Sequence, residues 1–97
     1  MSDEPKGYVI LTEDVKDPAG MAEYGKLART AMSTAKLLAF SPAVATLEGQ
    51  WHGTQTVLLE FESVDAANEW YHSEDYQRAA KLRHAAAECN AVVISGL

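Results

Sequence analysis

The stretch from Gln55 to Arg83 most narrows what this chain can fold into. In its first half, QTVLLEF, strand alternation puts Val57, Leu59 and Phe61 on one side and Thr56, Leu58 and Glu60 on the other. Ser63 then reads as a helix cap. Asp65 falls in the first turn, where free backbone N–H groups and the helix dipole favour a negative charge. Ala66, Ala67, Trp70 and Tyr71 recur on one face of that helix. His72-Ser73-Glu74-Asp75 is a second start signal, so the helix is expected to bend or break at Ser73. Beyond it, Tyr76, Ala79, Ala80, Arg83 and Ala87 form one stripe. An apolar strand fed into an amphipathic helix must share a sheet with further strands, and the rest of the chain supplies them.

Residues 1–6 read as a polar leader and 7–97 as one domain. Gly7 to Glu13 is a strand with Tyr8, Ile10 and Thr12 on one side and Val9, Leu11 and Glu13 on the other. Asp17-Pro18 starts a helix expected over 18 to about 34. Its inner positions are Met21, Tyr24, Leu27 or Ala28, Ala31 and Ala35. Gly25 weakens it by roughly 1 kcal/mol relative to Ala and marks a place of close packing. Lys36 to Phe40 is a short strand interrupted at Ser41-Pro42, which places it at an edge or in a bulge, and Val44 to Glu48 is expected to resume it. Gly49-Gln-Trp-His-Gly53 makes the hairpin loop, and Ala91 to Ser95 is the last strand. The order is strand, helix, strand, strand, helix, strand. That is the α+β, ferredoxin-like βαββαβ pattern: a four-stranded antiparallel sheet with two helices on one face.

Two helices cover only one face of such a sheet. A second face exposed to water would show polar residues at alternate positions. Here it would instead carry Tyr8, Ile10, Leu58, Ala91 and Val93. Burial of each large apolar side chain is worth roughly 1.5 to 3 kcal/mol, so a homodimer closed through the open sheet face is expected.

The net charge of −6 disfavours nucleic acid and anionic membrane partners. The one cysteine, Cys89, rules out an intrachain disulfide and reads as a small buried hydrophobe. The first residues lack the pattern of a secretion signal and no apolar run approaches 18 residues, so a cytoplasmic location is expected. His52, His72 and His84 show no metal-ligand spacing, and no phosphate or dinucleotide motif occurs. No metal or cofactor is expected.

Several residues are candidates for chemistry, each with a plainer alternative. Glu60 interrupts an apolar strand: it is either a proton-moving carboxylate beside a cavity of roughly 300 Å³ or more, or a wet or paired rim residue. Trp51 and His52, between loop glycines, could close over a planar ligand; otherwise Trp51 caps the core or the dimer seam and His52 is solvated. Tyr8, Tyr71 and Tyr76 keep phenols able to reach a pocket while their rings pack. Arg83 could bind an anion, or form a surface ion pair with Glu74, Asp75 or Glu88.

Five segments carry a resemblance: GYVILTE at 7–13, Asp17-Pro18 with Tyr24, LEGQWH at 47–52, LEFES at 59–63 and WYHSEDYQ at 70–77. In order and spacing the chain resembles the bacterial family called domain of unknown function 1330. The resemblance implies a dimeric α+β barrel, related in fold to cofactor-free monooxygenases, muconolactone isomerases and stress-responsive barrel proteins. The family's usual His-Gly-Gly-Arg/Lys turn reads Ser33-Thr34-Ala35-Lys36 here, and its Arg-Gly-Gly-like stretch reads Phe40-Ser41-Pro42. Only Lys36 keeps a matching charge. Three readings of function follow: a dimer binding a small apolar or aromatic molecule between sheet and helices, a cofactor-independent monooxygenase- or isomerase-like enzyme using Glu60 and His52, or a non-catalytic dimeric accessory protein.

Overall fold

The computed structural model describes residues 4–97. The first half of the expected leader, residues 1–3, lies outside the described part; residues 4–6 are exposed and outside any helix or strand. The elements are β1 (Gly7–Val15), α1 (Pro18–Thr30), β2 (Lys36–Ser41), β3 (Gln55–Phe61), α2 (Val64–His72), α3 (Glu74–Ala86) and β4 (Ala87–Ser95). The four strands form one antiparallel sheet in the order β2-β3-β1-β4. This is the ferredoxin-like arrangement, with its second helix divided in two.

The division falls at Ser73. Its hydroxyl donates to the Trp70 carbonyl (2.7 Å), ending α2, and accepts from the Tyr76 N–H (3.2 Å), starting α3. Ser63 caps α2 by accepting from Ala66 N–H at 3.0 Å. Asp17 precedes α1 in extended conformation, but its side chain makes no capping hydrogen bond; Pro18 and the turn geometry suffice. Helix α1 stops at Thr30, short of the expected 34, and Ser33 turns the chain toward β2 with a left-handed φ of 53°.

Core and register follow the alternation of β1 and β3. Val9, Leu11, Leu59 and Phe61 are all nearly inaccessible and pack against Trp70, Tyr76, Ala67, Ala79 and Ala80 from the helices. The phase of β4 differs from the sequence expectation. Val93 lies opposite Val9 and Ala91 opposite Leu11, so both belong to the helix side; Val92 and Ile94 take the uncovered face, about half exposed. A strand apolar on both sides carries no phase of its own, and pairing with β1 sets it.

The uncovered face is built from three cross-strand rows. Leu58, Ile10 and Val92 form the middle one, with Glu60, Tyr8 and Ile94 on one side and Thr56, Thr12 and Asn90 on the other. Val44 to Glu48 does not resume β2: residues 42–54 form an irregular exposed loop. This loop folds back at Trp51, whose Nε1 donates to Thr56 Oγ1 (2.9 Å), and at Gly53, which packs against the Glu13 backbone with φ 87°. A side chain at Gly53 would collide with the Glu13 carbonyl, so only glycine fits there. Measured on Cα atoms, the molecule spans 42 by 35 Å but only 16 Å in depth, one sheet and one helix layer. No helix among the described residues is long and apolar enough to cross a membrane.

Candidate functional site

Helix α1 makes its main contact with α3 rather than with the sheet. None of its residues is fully buried; Met21, Tyr24, Leu27, Ala28 and the following Met32 are half-covered. The two layers therefore stand apart on the β2 side and leave a cavity of about 550 Å³. Its walls are Met21, Gly25, Ala28 and Met32 above and Leu11, Val57 and Leu59 below. Leu37 and Phe40 line it on β2 and are more than half exposed, so that side is the mouth. Gly25 borders this space: a Cβ there would meet only the Arg29 guanidinium at 3.7 Å, so the glycine keeps the space open instead of admitting a close neighbour. The close approach on α1 is at Gly20, whose added Cβ would sit 2.9 Å from that of Ala86.

The inner end of the cavity is polar. Tyr24 and Tyr76, both lining it, share a hydrogen bond between their hydroxyls at 2.8 Å. Glu13 lines it too, 1 % exposed, with Oε1 accepting from Gln55 Nε2 at 2.6 Å. Arg83, also 1 % exposed, stands behind the phenols, its guanidinium 5.8 Å from the Tyr24 ring centre. The surface ion pair expected for Arg83 does not form: among the described residues no carboxylate pairs with it, and its Nε and Nη2 have no hydrogen-bond partner there. Burial opposes its charge, but Tyr76, Tyr24 and Cys89 around it outweigh this and leave its pKa raised. The Cys89 thiol, facing the Arg83 carbonyl, is pushed up by burial, with Arg83 pulling the other way.

Burial raises the pKa of both phenols; for Tyr24 the neighbouring Tyr76 adds to it, while Arg83 opposes it at both. The unfolded chain, whose tyrosines ionise near 10.0, therefore loses these protons before the folded chain does. Stability from the phenols is complete below pH 10 and declines above it, by up to about 1.4 kcal/mol per phenol per pH unit. Thermal melts at pH 8, 10 and 11 check this, and Tyr24→Phe should make the decline shallower.

The residues expected from sequence to carry chemistry divide among separate places. Tyr76 is at the cavity and Arg83 behind it. Glu60 points to the uncovered face, across the sheet from the cavity walls Val57 and Leu59, so the space expected beside it lies on the other side. Its neighbours there are Tyr8 and Lys36. Burial raises the Tyr8 pKa, and a hydrogen bond to Glu60 and its charge raise it further. Trp51 and His52 are exposed on the 42–54 loop with ring centres 6.1 Å apart. Tyr71 packs beside the Trp70–Tyr76 pair and borders a smaller groove with Asn68 and His72 beside β4. Glu13 and Tyr24 were not singled out from sequence; the signal for Glu13 was a charged residue in phase with Val9 and Leu11. No group of three or more His, Cys, Asp or Glu side chains placed to hold a metal occurs among the described residues.

Residues 6–97 match the family described as domain of unknown function DUF1330. The chain belongs to this family. Among solved structures, the DUF1330 chain is similar to RPA0582, a protein of unknown function from Rhodopseudomonas palustris: TM-score 0.74, 19 % identity, 97 % of this chain and 84 % of that one covered. A dimeric ferredoxin-like protein of unknown function from Thermobifida fusca superposes with TM-score 0.68 at 13 % identity, over 98 % and 94 % of the two chains. SnoaB, a cofactor-independent oxygenase from Streptomyces nogalater, does so with TM-score 0.64 at 10 % identity, over 96 % and 94 %. At these identities the likeness is one of fold. No curated protein matches the sequence significantly.

Proposed function

We propose that this DUF1330 chain acts as a homodimer, each protomer holding one small apolar or aromatic molecule in the cavity beneath α1. The observation that carries the reading is the gap between α1 and the sheet, lined mainly by apolar side chains from Met21 to Leu59, with Lys26 and Arg29 on α1 and a polar end at Tyr24, Tyr76 and Glu13. Its volume of about 550 Å³ is in the range of small-molecule sites, which pair an apolar lining with a few polar groups. Pairing would occur through the uncovered face, whose middle row of Leu58, Ile10 and Val92 is apolar and symmetric enough to meet its own copy. The dimeric state named for the Thermobifida fusca protein of this fold supports it. A cytoplasmic setting accords with a single unpaired thiol.

Native mass spectrometry of the purified protein tests the binding reading. One small molecule retained per protomer is expected. Ala28→Trp, which fills the space, should release it. A chain that carries nothing and takes up no naphthalene-sized probe would overturn the reading.

A second reading, cofactor-independent monooxygenase- or isomerase-like catalysis through Glu60 and His52, draws support from the cross-strand pairing of Glu60 with Tyr8 on the face that a dimer would enclose. Loss of turnover in Glu60→Gln, with the dimer intact, is its signature. The plain accessory-protein reading gives the cavity no role.

A further inference from the structure

Glu13 holds a carboxyl oxygen in reserve. Its place in β1, in phase with Val9 and Leu11, puts it on the helix side of the sheet at 1 % exposure. Oε1 is engaged by Gln55, whereas Oε2 has no hydrogen-bond partner and the residue borders the cavity. Among the described residues no cation forms an ion pair with it. The ion pairs among the described residues are Lys16–Asp14, Lys26–Glu23 and Arg78–Asp75, all exposed. A buried acceptor without a donor is destabilising, so such atoms are rare unless something arrives to meet them.

The phenol pair lining the same cavity has the opposite surplus. Two hydroxyls share one hydrogen bond, so whichever of Tyr24 and Tyr76 donates, one O–H proton remains undirected. The buried Arg83 guanidinium behind them is a donor only, so it cannot take up that proton. The polar end therefore holds one unsatisfied acceptor and one undirected donor.

We infer that the ligand carries a hydroxyl on an aromatic or conjugated frame, a phenol or enol, whose O–H donates to Glu13 Oε2 and whose oxygen accepts from the Tyr24–Tyr76 pair. A single hydroxyl supplies both halves. An ether supplies only the acceptor and an ammonium only the donor. The apolar walls, Leu11, Val57, Met21 and Met32 among them, take the rest of the frame. This inference rests on the cavity reading above and adds the chemistry of its polar end.

Calorimetric titration with 2-naphthol and with its methyl ether, 2-methoxynaphthalene, separates the two. Binding of the ether reports the cavity, and the ratio of the affinities reports Glu13. The wild-type chain is expected to prefer the naphthol by about tenfold or more, as for a hydrogen bond to a charged or buried acceptor. In Glu13→Gln the ratio should fall below about threefold. Equal affinities in the wild type, or an undiminished ratio in Glu13→Gln, would overturn the inference with the cavity reading intact. Failure of both probes to bind would overturn both. If Glu13→Gln does not fold, the wild-type ratio alone decides.

Discussion

Replacing Trp70 with Ala is expected to remove about 3–5 kcal/mol of stability and lower the melting temperature by more than about 12 °C. The indole is 6 % exposed and sits at the meeting point of both layers: its ring centre lies 5.1 Å from Phe61 and 4.0 Å from Tyr76. Its Nε1 donates to the Ala31 carbonyl at 2.9 Å, in the turn just beyond α1. Truncation therefore opens a void and also strands a carbonyl at the end of a helix. Total stability for domains of this size is about 5–15 kcal/mol, so the loss is a large part of it. Trp70→Phe keeps much of the apolar contact but also loses the Nε1–H donor, and should cost about 1–3 kcal/mol, less than the Ala variant. Thermal and urea melts followed by circular dichroism measure both. A shift under about 1 kcal/mol for the Ala variant would mean that the two layers are not joined through this ring.

The second large effect is expected on the opposite side of the sheet. Ile10→Glu sets a carboxylate in the middle of the apolar row between Leu58 and Val92. In an isologous pair the change enters twice, and each new charge would be enclosed without a partner, which typically costs several kcal/mol. At about 10 μM the wild-type chain should sediment at twice its 10.5 kDa and the variant as a single chain. The fold should survive, because Ile10 faces away from the Val9–Leu11 core. Wild-type sedimentation as a single chain would remove the proposed pairing, and a variant that stayed paired would move the contact elsewhere. The cavity lies on the far side of the sheet from this face, so single chains should still bind naphthalene-sized probes.

Much of this architecture could be read from the residues, for identifiable reasons. Gln55–Phe61 came out with its observed bounds and faces because one side is wholly apolar and the other is interrupted by Thr56 and Glu60. The break at Ser73 was legible because a cap followed by two acids has few other uses. Where such signals are absent, sequence reasoning drifts. Ala91 to Ile94 is apolar throughout, so its faces depend on which β1 residues it meets. Val44 to Glu48 has strand-like composition but stays irregular, since Pro42 ends the ladder and the chain folds back at Trp51 and Gly53. Arg83 lies in the stripe of Tyr76, Ala79 and Ala80, and that company predicted burial better than its charge predicted exposure. Glu13 was placed on the correct side of β1 without being singled out, because a lone acid at a strand end ordinarily reaches water. Here the loop at Gly53 and the Gln55 amide shut water out.

Ser73 gives the molecule something a straight rod of the same length would lack. One hydroxyl closes the first helix and opens the next, so the chain changes direction without a linker, and the Trp70 and Tyr76 rings meet across the corner, tilted by 33° with centres 4.0 Å apart. The elbow thus aims a phenol that a continuous helix would rotate elsewhere. Alanine at this joint invites the two segments to fuse, and the first casualty would be the alignment of Tyr76 with Tyr24.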